Sequence, residues 1–385
     1  MGEVTIHAPL PDPFRFDDGR SVHTVADWDA RREEIATRLL AVQYGTMPPA
    51  PEETRVETGS WEALPDGRRR RVDRLQFAPV RGAGRTIPLE LTLTCPSGVE
   101  LARSAERCPG HGTNGLPAVL YVGRKTHEAA LSRGYVVVNY PNDTLEPMEM
   151  GQAIRGPARA AYAALVGDDA FSWGSIAAWA WGAHRAIDHM VSLPEIDAAQ
   201  LAITGQSRNG KTALLAGALD PRCQVVNPAG SGCAGAGSYL VLGAGSEDLA
   251  ALTSRERWWA WTAPGFEAFA GHEDTLPFDQ HWLMALVAPR PLLRTEGTQD
   301  TWANPVGTSA AFLATQPVYD LLGAPEANTI HYRSGGHDHT EEDAGVFLDL
   351  CDATFFGKPM LNDPARVLDG TPARERLFEW DAPRR

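Results

Sequence analysis

The stretch Gly205-Gln-Ser-Arg-Asn-Gly-Lys-Thr212 decides how the chain is interpreted, because it fits two motifs with different functions. As G-x-x-x-x-G-K-[ST] it is a P-loop, whose backbone cradles phosphate groups. As a turn centred on Ser207 it is a nucleophile elbow, which presents a reactive serine between a strand and a helix. Both motifs need a buried strand before the loop and a helix after it. Residues 201–204 and 213–219 supply both, so the flanking sequence leaves the choice open.

Charge and composition exclude several classes of partner. The chain has 385 residues, with 35 Lys and Arg against 49 Asp and Glu, and a net charge of −14. Such a charge repels nucleic-acid backbones and anionic lipid surfaces, so we expect neither a nucleic-acid nor a membrane partner. The N-terminus lacks the pattern of a signal peptide, and no stretch of about 18 apolar residues occurs. The compartment stays open, since a signal peptide removed during maturation would leave the same sequence.

Five cysteines, odd in number and without a C-x-x-C pair, indicate neither a disulfide framework nor a zinc site. We therefore expect reduced, mostly buried thiols, no metal and no cofactor.

The chain is predicted to consist of an N-terminal arm and one catalytic domain. Residues 1–25 are rich in Pro, Asp and Gly, which is typical of a segment laid over a surface. From residue 26 to residue 385 we expect a single domain. It opens with a helix over residues 25–42, where apolar side chains recur at helical spacing.

Strand patterns predict an α/β fold. Residues 71–78 and 86–95 indicate two antiparallel strands that lead into the sheet. Residues 118–122 and 135–140 are continuous apolar runs, as parallel strands buried on both faces require. Strands and helices then alternate for about 200 residues, which predicts a doubly wound, mostly parallel sheet in three αβα layers.

The P-loop interpretation lacks its second element. A P-loop protein needs an apolar strand that ends in Asp to hold Mg²⁺, and its loop normally follows the first strand. Here about four predicted strands precede Gly205, and no later apolar run of four residues ends in Asp. Nucleotide binding is therefore the remote alternative, and it would require tight binding of Mg-ATP.

The elbow interpretation makes a demand on the rest of the chain, and the sequence meets it. In an α/β-hydrolase the serine is followed by an acid after a later strand and by a histidine after the last strand. Asp300 follows the predicted strand 291–296, and His337 follows the predicted strand 328–333. The order of Ser207, Asp300 and His337 thus predicts a serine hydrolase of the α/β-hydrolase fold.

Each of these residues has a defined role in acyl transfer. Ser207 would attack the acyl carbon, His337 would take its proton, and Asp300 would orient the imidazole. The backbone N–H of Arg208, at the start of the following helix, would help to hold the oxyanion.

The segment Gly205–Lys211 resembles the G-x-S-R-x-G-K elbow of the glucuronoyl esterases. These are carbohydrate esterases of the α/β-hydrolase fold that cleave esters of 4-O-methylglucuronic acid. The resemblance covers about residues 116–358, and further blocks occur in the order of the family. They are Ala178-Trp-Ala-Trp-Gly182, Ser231-Gly-Cys-Ala-Gly235, Leu276-Pro-Phe-Asp-Gln-His281, Ala288-Pro-Arg-Pro291 and Gly335-Gly-His337.

The resemblance implies a substrate and further site residues. Arg208 would support the oxyanion with its guanidinium as well, and Lys211 would bind sugar hydroxyls. Glu256 and Trp302 fall where the family has further sugar-binding residues. The partner implied is a small-molecule or oligosaccharide uronate ester, hydrolysed through an acyl-enzyme.

The position of the acid departs from many family members. These carry a glutamate directly before the S-G-x-x-G stretch, where this chain has Gly230. The resemblance then points to a bacterial subset in which the acid follows the penultimate strand, as Asp300 does. Glu296 is the alternative acid.

Three other interpretations stay open at the level of sequence. The same triad would serve a deacetylase acting on acetylated xylan or another small ester. A non-catalytic binding protein on this fold would place Asp300 far from His337. A metal site could use His337 and His339, although a hydrolytic zinc needs a third ligand that no motif provides.

Overall fold

The computed structural model describes residues 3–82, 84–107, 115–125, 128–147, 149–151, 155–167, 171–360 and 367–383. A ten-stranded sheet forms the centre of this part of the chain. In the order in which they pair, its strands are β12 (Asn328–Arg333), β11 (Leu292–Gly297), β9 (Val225–Ala229), β8 (Ile196–Gln206), β6 (Leu116–Val122), β7 (Val136–Tyr140), β5 (Ile87–Cys95), β4 (Arg69–Ala78) and β2 (Glu53–Glu57), with β3 (Glu62–Ala63) also on β4.

The six strands from β12 to β7 are parallel, and β5, β4, β2 and β3 continue the sheet antiparallel. A small ribbon pairs β1 (Thr5–Ile6) with β10 (Val241–Leu242). The helices are α1 (Val25–Leu39), α2 (Gly98–Arg107), α3 (Glu128–Ser132), α4 (Pro157–Val166), α5 (Ser175–Met190), α6 (Arg208–Leu219), α7 (Leu249–Thr253), α8 (Gln280–Ala285), α9 (Pro305–Leu322), α10 (Glu341–Phe356) and α11 (Arg374–Leu377).

Helices cover both faces of the sheet, and the side chains of β6 show how. Ala118, Leu120 and Val122 point into a core shared with α5, α6, α8 and α9. Val119 and Tyr121 point the other way, into a core shared with α3 and α10. Alternate residues of one strand are thus buried on opposite faces, as a continuous apolar run requires. The predicted three-layer, doubly wound α/β-hydrolase fold is confirmed.

Two predicted helices differ from the structure at their ends. The helix predicted over residues 171–193 spans only Ser175–Met190. Its N-cap Gly174 is extended, and a Cβ there would lie 2.5 Å from the carbonyl oxygens of Trp261 and Thr262, so a neighbouring loop fixes the start. The helix predicted over residues 25–42 continues beyond Leu39 as a single π turn, Leu40–Tyr44.

Strand β2 lies at the sheet edge, where a sequence pattern is weakest. Arg55 and Glu57 are exposed and charged, which is typical of edge strands that avoid pairing with other chains. No alternating apolar pattern therefore marks this strand.

The N-terminal arm packs into the core. Phe14, Phe16 and Val22 are buried, and the carbonyl oxygen of Pro11 accepts hydrogen bonds from His281 Nε2 at 2.8 Å and from the Trp282 indole at 3.0 Å. The division into an arm and one catalytic domain stays a prediction.

Four cysteines are free and buried: Cys95, Cys223, Cys233 and Cys351. Cys108 lies outside the described residues. Within the ranges given above, no helix is long and apolar enough to cross a lipid bilayer.

Candidate active site

Ser207 occupies a sharp turn between β8 and α6. Its backbone has φ 59° and ψ −126°, a conformation that non-glycine residues rarely adopt. The turn is tight because glycines flank it: a Cβ on Gly205 would lie 2.4 Å from the carbonyl oxygen of Asn209, and one on Gly210 would lie 2.9 Å from that of Ala229. Such stored strain is typical of functional sites. Strand, turn and helix therefore form a nucleophile elbow around Ser207.

Asn209 takes the place where the common elbow motif has glycine. Its side-chain oxygen accepts a hydrogen bond from Asn142 at 3.1 Å. Its amide nitrogen lies 2.4 Å from where a Cβ on Gly123 would be, so Gly123 leaves room for it. The amide thus connects the elbow to the loops after β6 and β7.

The loops after β11 and β12 bring Asp300 and His337 together. Because the two strands are parallel neighbours, their carboxyl ends meet at one edge of the sheet. Backbone hydrogen bonds join the loops there, from Thr298 N to Arg333 O and from Gln299 N to Gly335 O, both 2.9 Å long. His337 Nδ1 lies 2.5 Å from Asp300 Oδ2.

The environments of these two side chains differ. The Asp300 side chain is only 4% exposed, whereas that of His337 is 45% exposed. With Nδ1 donating to the carboxylate, Nε2 is left as a proton acceptor on the open side. Ser207, Arg208 and His337 line the same cavity of about 300 Å³. The structure thus brings the three residues of the predicted triad to one edge of the sheet.

Glu296, the alternative acid, lies deeper, within β11. Its side chain is buried, and this burial raises the pKa of the carboxyl well above its usual value, with the nearby charges of Asp300 and Asp343 acting in the same direction. The raised pKa favours the uncharged carboxyl, which is less suited than a carboxylate to stabilise an imidazolium. The geometry favours Asp300.

Gly230 lies next to the pair that Asp300 and His337 form. A Cβ on Gly230 would be 3.8 Å from Asp300 Oδ2 and 3.9 Å from His337 Nδ1. A longer acidic side chain in this place would approach the same imidazole from another loop. The loop after β9 and the loop after β11 can thus both deliver an acid to His337.

Arg208 follows Ser207 and is half-buried beside it. Burial lowers the pKa of its guanidinium, and the charge of Asp143 acts against this shift. Among the described residues, none forms a hydrogen bond with its buried Nε. A cation with an N–H donor that these residues leave unused thus lies next to Ser207.

Lys211 is buried within α6. Its Nζ donates to the carbonyl oxygens of Ser231, at 2.8 Å, and of Cys233, and the carboxylate of Glu247 lies 3.7 Å away. These contacts hold the loop after β9. Substrate binding by Lys211 stays a prediction. A sugar bound to Lys211 would lie close to the Glu247 carboxylate.

The other two predicted sugar-binding residues lie at the surface. Trp302 is 41% exposed, and the guanidinium of Arg257 lies over its ring, 4.6 Å from the centroid. Glu256 is exposed in the turn that carries Arg257. Glu247 donates its backbone N–H to the carbonyl oxygen of Trp302 at 3.0 Å, so it lies between Lys211 and Trp302. Sequence reasoning missed Glu247, because an acidic residue in a Gly-rich loop has no distinctive pattern.

His339, the second histidine of the possible metal pair, is buried. In the part of the chain that the structure describes, no three His, Cys, Asp or Glu side chains are grouped to hold a metal ion.

Comparison with known proteins identifies the family. A family model described as "Glucuronyl esterase, fungi" matches residues 80–323. A 4-O-methyl-glucuronoyl methylesterase 1 of Wolfiporia cocos is 32% identical over 338 residues, which cover 86% of this chain and 76% of the relative. A 4-O-methyl-glucuronoyl methylesterase of Schizophyllum commune is 29% identical over 343 residues, which cover 87% and 79%.

A solved structure agrees with these relatives. The carbohydrate esterase family 15 glucuronoyl esterase of Caldicellulosiruptor kristjansonii superposes with a TM-score of 0.76 and 28% identity, over 94% of this chain and 95% of the other. The chain therefore belongs to the glucuronoyl esterase family, and it is a carbohydrate esterase.

Proposed function

We propose that the protein hydrolyses esters of 4-O-methylglucuronic acid, using Ser207, His337 and Asp300 as a catalytic triad and passing through an acyl-enzyme. One observation carries the mechanism: the 2.5 Å hydrogen bond between His337 Nδ1 and the buried carboxylate of Asp300, at the sheet edge where the elbow presents Ser207.

The first half of the reaction forms the acyl-enzyme. Asp300 holds the proton of His337 on Nδ1, so that Nε2 can take the proton of Ser207 as its oxygen attacks the ester carbonyl. Negative charge then develops on the carbonyl oxygen. The backbone N–H of Arg208, at the N-terminus of α6, and its guanidinium stabilise this charge, most effectively where water is excluded. Collapse of this tetrahedral intermediate completes the acyl-enzyme: the bond to the leaving alcohol breaks, and His337 gives that alcohol its proton.

The second half releases the acid. A water molecule, deprotonated by His337, attacks the acyl carbon. The second tetrahedral intermediate then collapses, the bond to Ser207 Oγ breaks, and His337 returns the proton to that oxygen. The product is a carboxylate, and the fixed positive charge of Arg208 favours its formation over the neutral ester.

The identity of the acyl group is supported by the names of the relatives, 4-O-methyl-glucuronoyl methylesterases. Trp302 offers an exposed ring on which a pyranose can stack, and the exposed Glu256 adds a polar group. Lys211, which the family resemblance implies as a sugar-binding residue, is buried beside Glu247. The substrate would be a uronate ester, free or attached to an oligosaccharide.

Hydrolysis of two esters, measured side by side, tests this proposal. The wild-type protein should hydrolyse methyl 4-O-methylglucuronate with a kcat/KM at least about 100-fold above that for an aryl acetate, since only the uronate uses the sugar contacts. A Trp302→Ala variant should lose most of that preference. A higher kcat/KM on the acetate would identify a deacetylase with the same triad instead.

A further inference from the structure

One buried side chain, that of Arg333, makes several hydrogen bonds to the loop that carries His337. Arg333, the last residue of β12, is 5% exposed. Its guanidinium donates to the carbonyl oxygens of Ser334 at 3.3 Å and Gly336 at 3.0 Å, and also to that of Asp338. Two of these carbonyls belong to the residues on either side of His337. The guanidinium therefore fixes the backbone before and after the histidine.

The guanidinium is itself anchored on its other side. Arg333 Nε donates to Asp343 Oδ2 at 2.6 Å, and both side chains are almost fully buried. The same carboxylate oxygen accepts from the backbone N–H of Thr340 at 2.8 Å and from its hydroxyl at 3.0 Å, at the start of α10. The ion pair thus connects the loop to the first turn of a packed helix.

Two glycines make room for this arrangement. Gly335 has φ +117°, and a Cβ on it would lie 2.9 Å from the guanidinium of Arg333. Beneath the loop, a Cβ on Gly297 would lie 2.4 Å from the carbonyl oxygen of Gly336. The loop is therefore packed closely between the guanidinium and the end of β11.

A second side chain holds the loop from the nucleophile side. Gln206, the last residue of β8 and the neighbour of Ser207, donates its side-chain amide to the carbonyl oxygen of His337 at 2.7 Å. This bond joins the backbone of the base directly to the strand that presents the nucleophile.

We propose that Arg333 and Gln206 are positioning residues for His337: together they fix the loop backbone so that the imidazole faces Ser207 while it stays bonded to Asp300. Neither residue reacts with the substrate. This inference rests on the catalytic role proposed for His337, and it adds the device that keeps the base in place. Displacing a reacting group by about 1 Å can slow a reaction about 100-fold, so such a device has a measurable effect.

The test uses substitutions that keep the fold. Arg333→Lys retains a cation for Asp343, but one ammonium cannot reach three carbonyls and the carboxylate together. Gln206→Met removes the amide at a half-exposed site. Arg133→Lys is the matched control, because Arg133 also bonds a carboxylate, that of Asp349, and a carbonyl oxygen, that of Gly345, and both belong to α10 rather than to the His337 loop.

Three readouts separate positioning from general stability: kcat and KM on methyl 4-O-methylglucuronate, the rate at which a fluorophosphonate labels Ser207, and the downfield proton resonance of His337 Nδ1–H. For Arg333→Lys we expect kcat to fall about 10- to 100-fold with KM within about 2-fold, labelling to slow by a similar factor, and the resonance to broaden or vanish. For Gln206→Met we expect a fall of about 3- to 10-fold.

The Arg133→Lys control should change the melting temperature without changing any of the three readouts. Wild-type kcat and labelling in a folded Arg333→Lys protein would overturn the proposal, as would equal losses in Arg133→Lys. If Arg333→Lys does not fold, the test rests on Gln206→Met. Unchanged labelling of Ser207 in that variant overturns the proposal. Labelling needs no uronate ester, so a wrong substrate would leave this inference standing, whereas labelling of a Ser207→Ala protein would refute the triad itself.

Discussion

Replacing Asp300 by Asn should lower kcat by about 10⁴-fold, which corresponds to about 5 kcal/mol in the activation free energy. The structure gives the reason. Asp300 Oδ1 accepts from the backbone N–H of Ala303 at 3.4 Å, and Oδ2 accepts from His337 Nδ1 at 2.5 Å. An asparagine that keeps its oxygen toward Ala303 turns its NH₂ group toward the imidazole. His337 must then accept at Nδ1 and carry its proton on Nε2, where it cannot deprotonate Ser207.

The neighbouring carboxyl provides a matched control. Glu296 is buried, and its raised pKa favours the uncharged carboxyl, which a glutamine side chain resembles in shape. We expect Glu296→Gln to retain kcat within about 3-fold, because the substitution changes the shape of the side chain little. We thus expect Asp300→Asn to abolish most of the activity and Glu296→Gln, four residues earlier in the chain, to retain it.

Initial rates of methyl 4-O-methylglucuronate hydrolysis at pH 7 to 8 measure both effects, with circular dichroism to establish that each variant is folded. The reasoning is refuted if Asp300→Asn keeps more than about a tenth of the wild-type kcat. A loss in Glu296→Gln that exceeds the loss in Asp300→Asn would assign the acid to Glu296 instead.

Three further predictions concern stability and packing. Burial raises the pKa of Glu296 in the folded state above its unfolded value near 4.5, so this residue should lower the unfolding free energy by up to about 1.4 kcal/mol per pH unit as the pH rises above 4.5. Glu296→Gln should flatten this slope, which urea denaturation at pH 5 and pH 8 can measure. His281 has the opposite sign: burial lowers its pKa from 6.5 to about 4, so its contribution is complete above pH 6.5 and is lost as the pH falls, by about 3 kcal/mol in total. Urea denaturation of the wild type and of His281→Gln at pH 7 and pH 4 should show this loss as a difference between the two proteins, because the opposite contribution of Glu296 is common to both. Gly297→Ala would force a Cβ to within 2.4 Å of the carbonyl oxygen of Gly336, so kcat should fall about 100-fold with little change in KM; an unchanged kcat would mean that the His337 loop can shift without harm.

The sequence predicted the triad because its evidence lies in order rather than in proximity. Ser207, Asp300 and His337 each follow a strand, and parallel strands deliver their carboxyl ends to one edge of a sheet. The apolar runs that became β6 and β7 indicated that the sheet is parallel, since strands buried on both faces are mostly continuous apolar runs. The fold and the candidate catalytic residues could therefore be predicted from local patterns and from the order of those patterns along the chain.

Contacts between distant loops could not be predicted in this way. In the sequence, Arg333 is the polar end of a predicted strand and Gln206 occupies a position that the elbow motif leaves unspecified, yet both bond to the His337 loop. The sequence does not indicate that Lys211 is buried against the loop after β9 either, because the carbonyls that it binds become neighbours only when that loop folds back. No alternating apolar pattern marks edge strand β2, because four of its five residues are exposed.

The most direct test of the proposed mechanism is kcat/KM for methyl 4-O-methylglucuronate, measured for the wild type and for Ser207→Ala under identical conditions. With Ser207 as the nucleophile, the wild type should release methanol and 4-O-methylglucuronate, and the variant should be slower by at least about 10⁴-fold while keeping its fold. A folded Ser207→Ala protein that hydrolyses the ester at a rate near that of the wild type would contradict the mechanism.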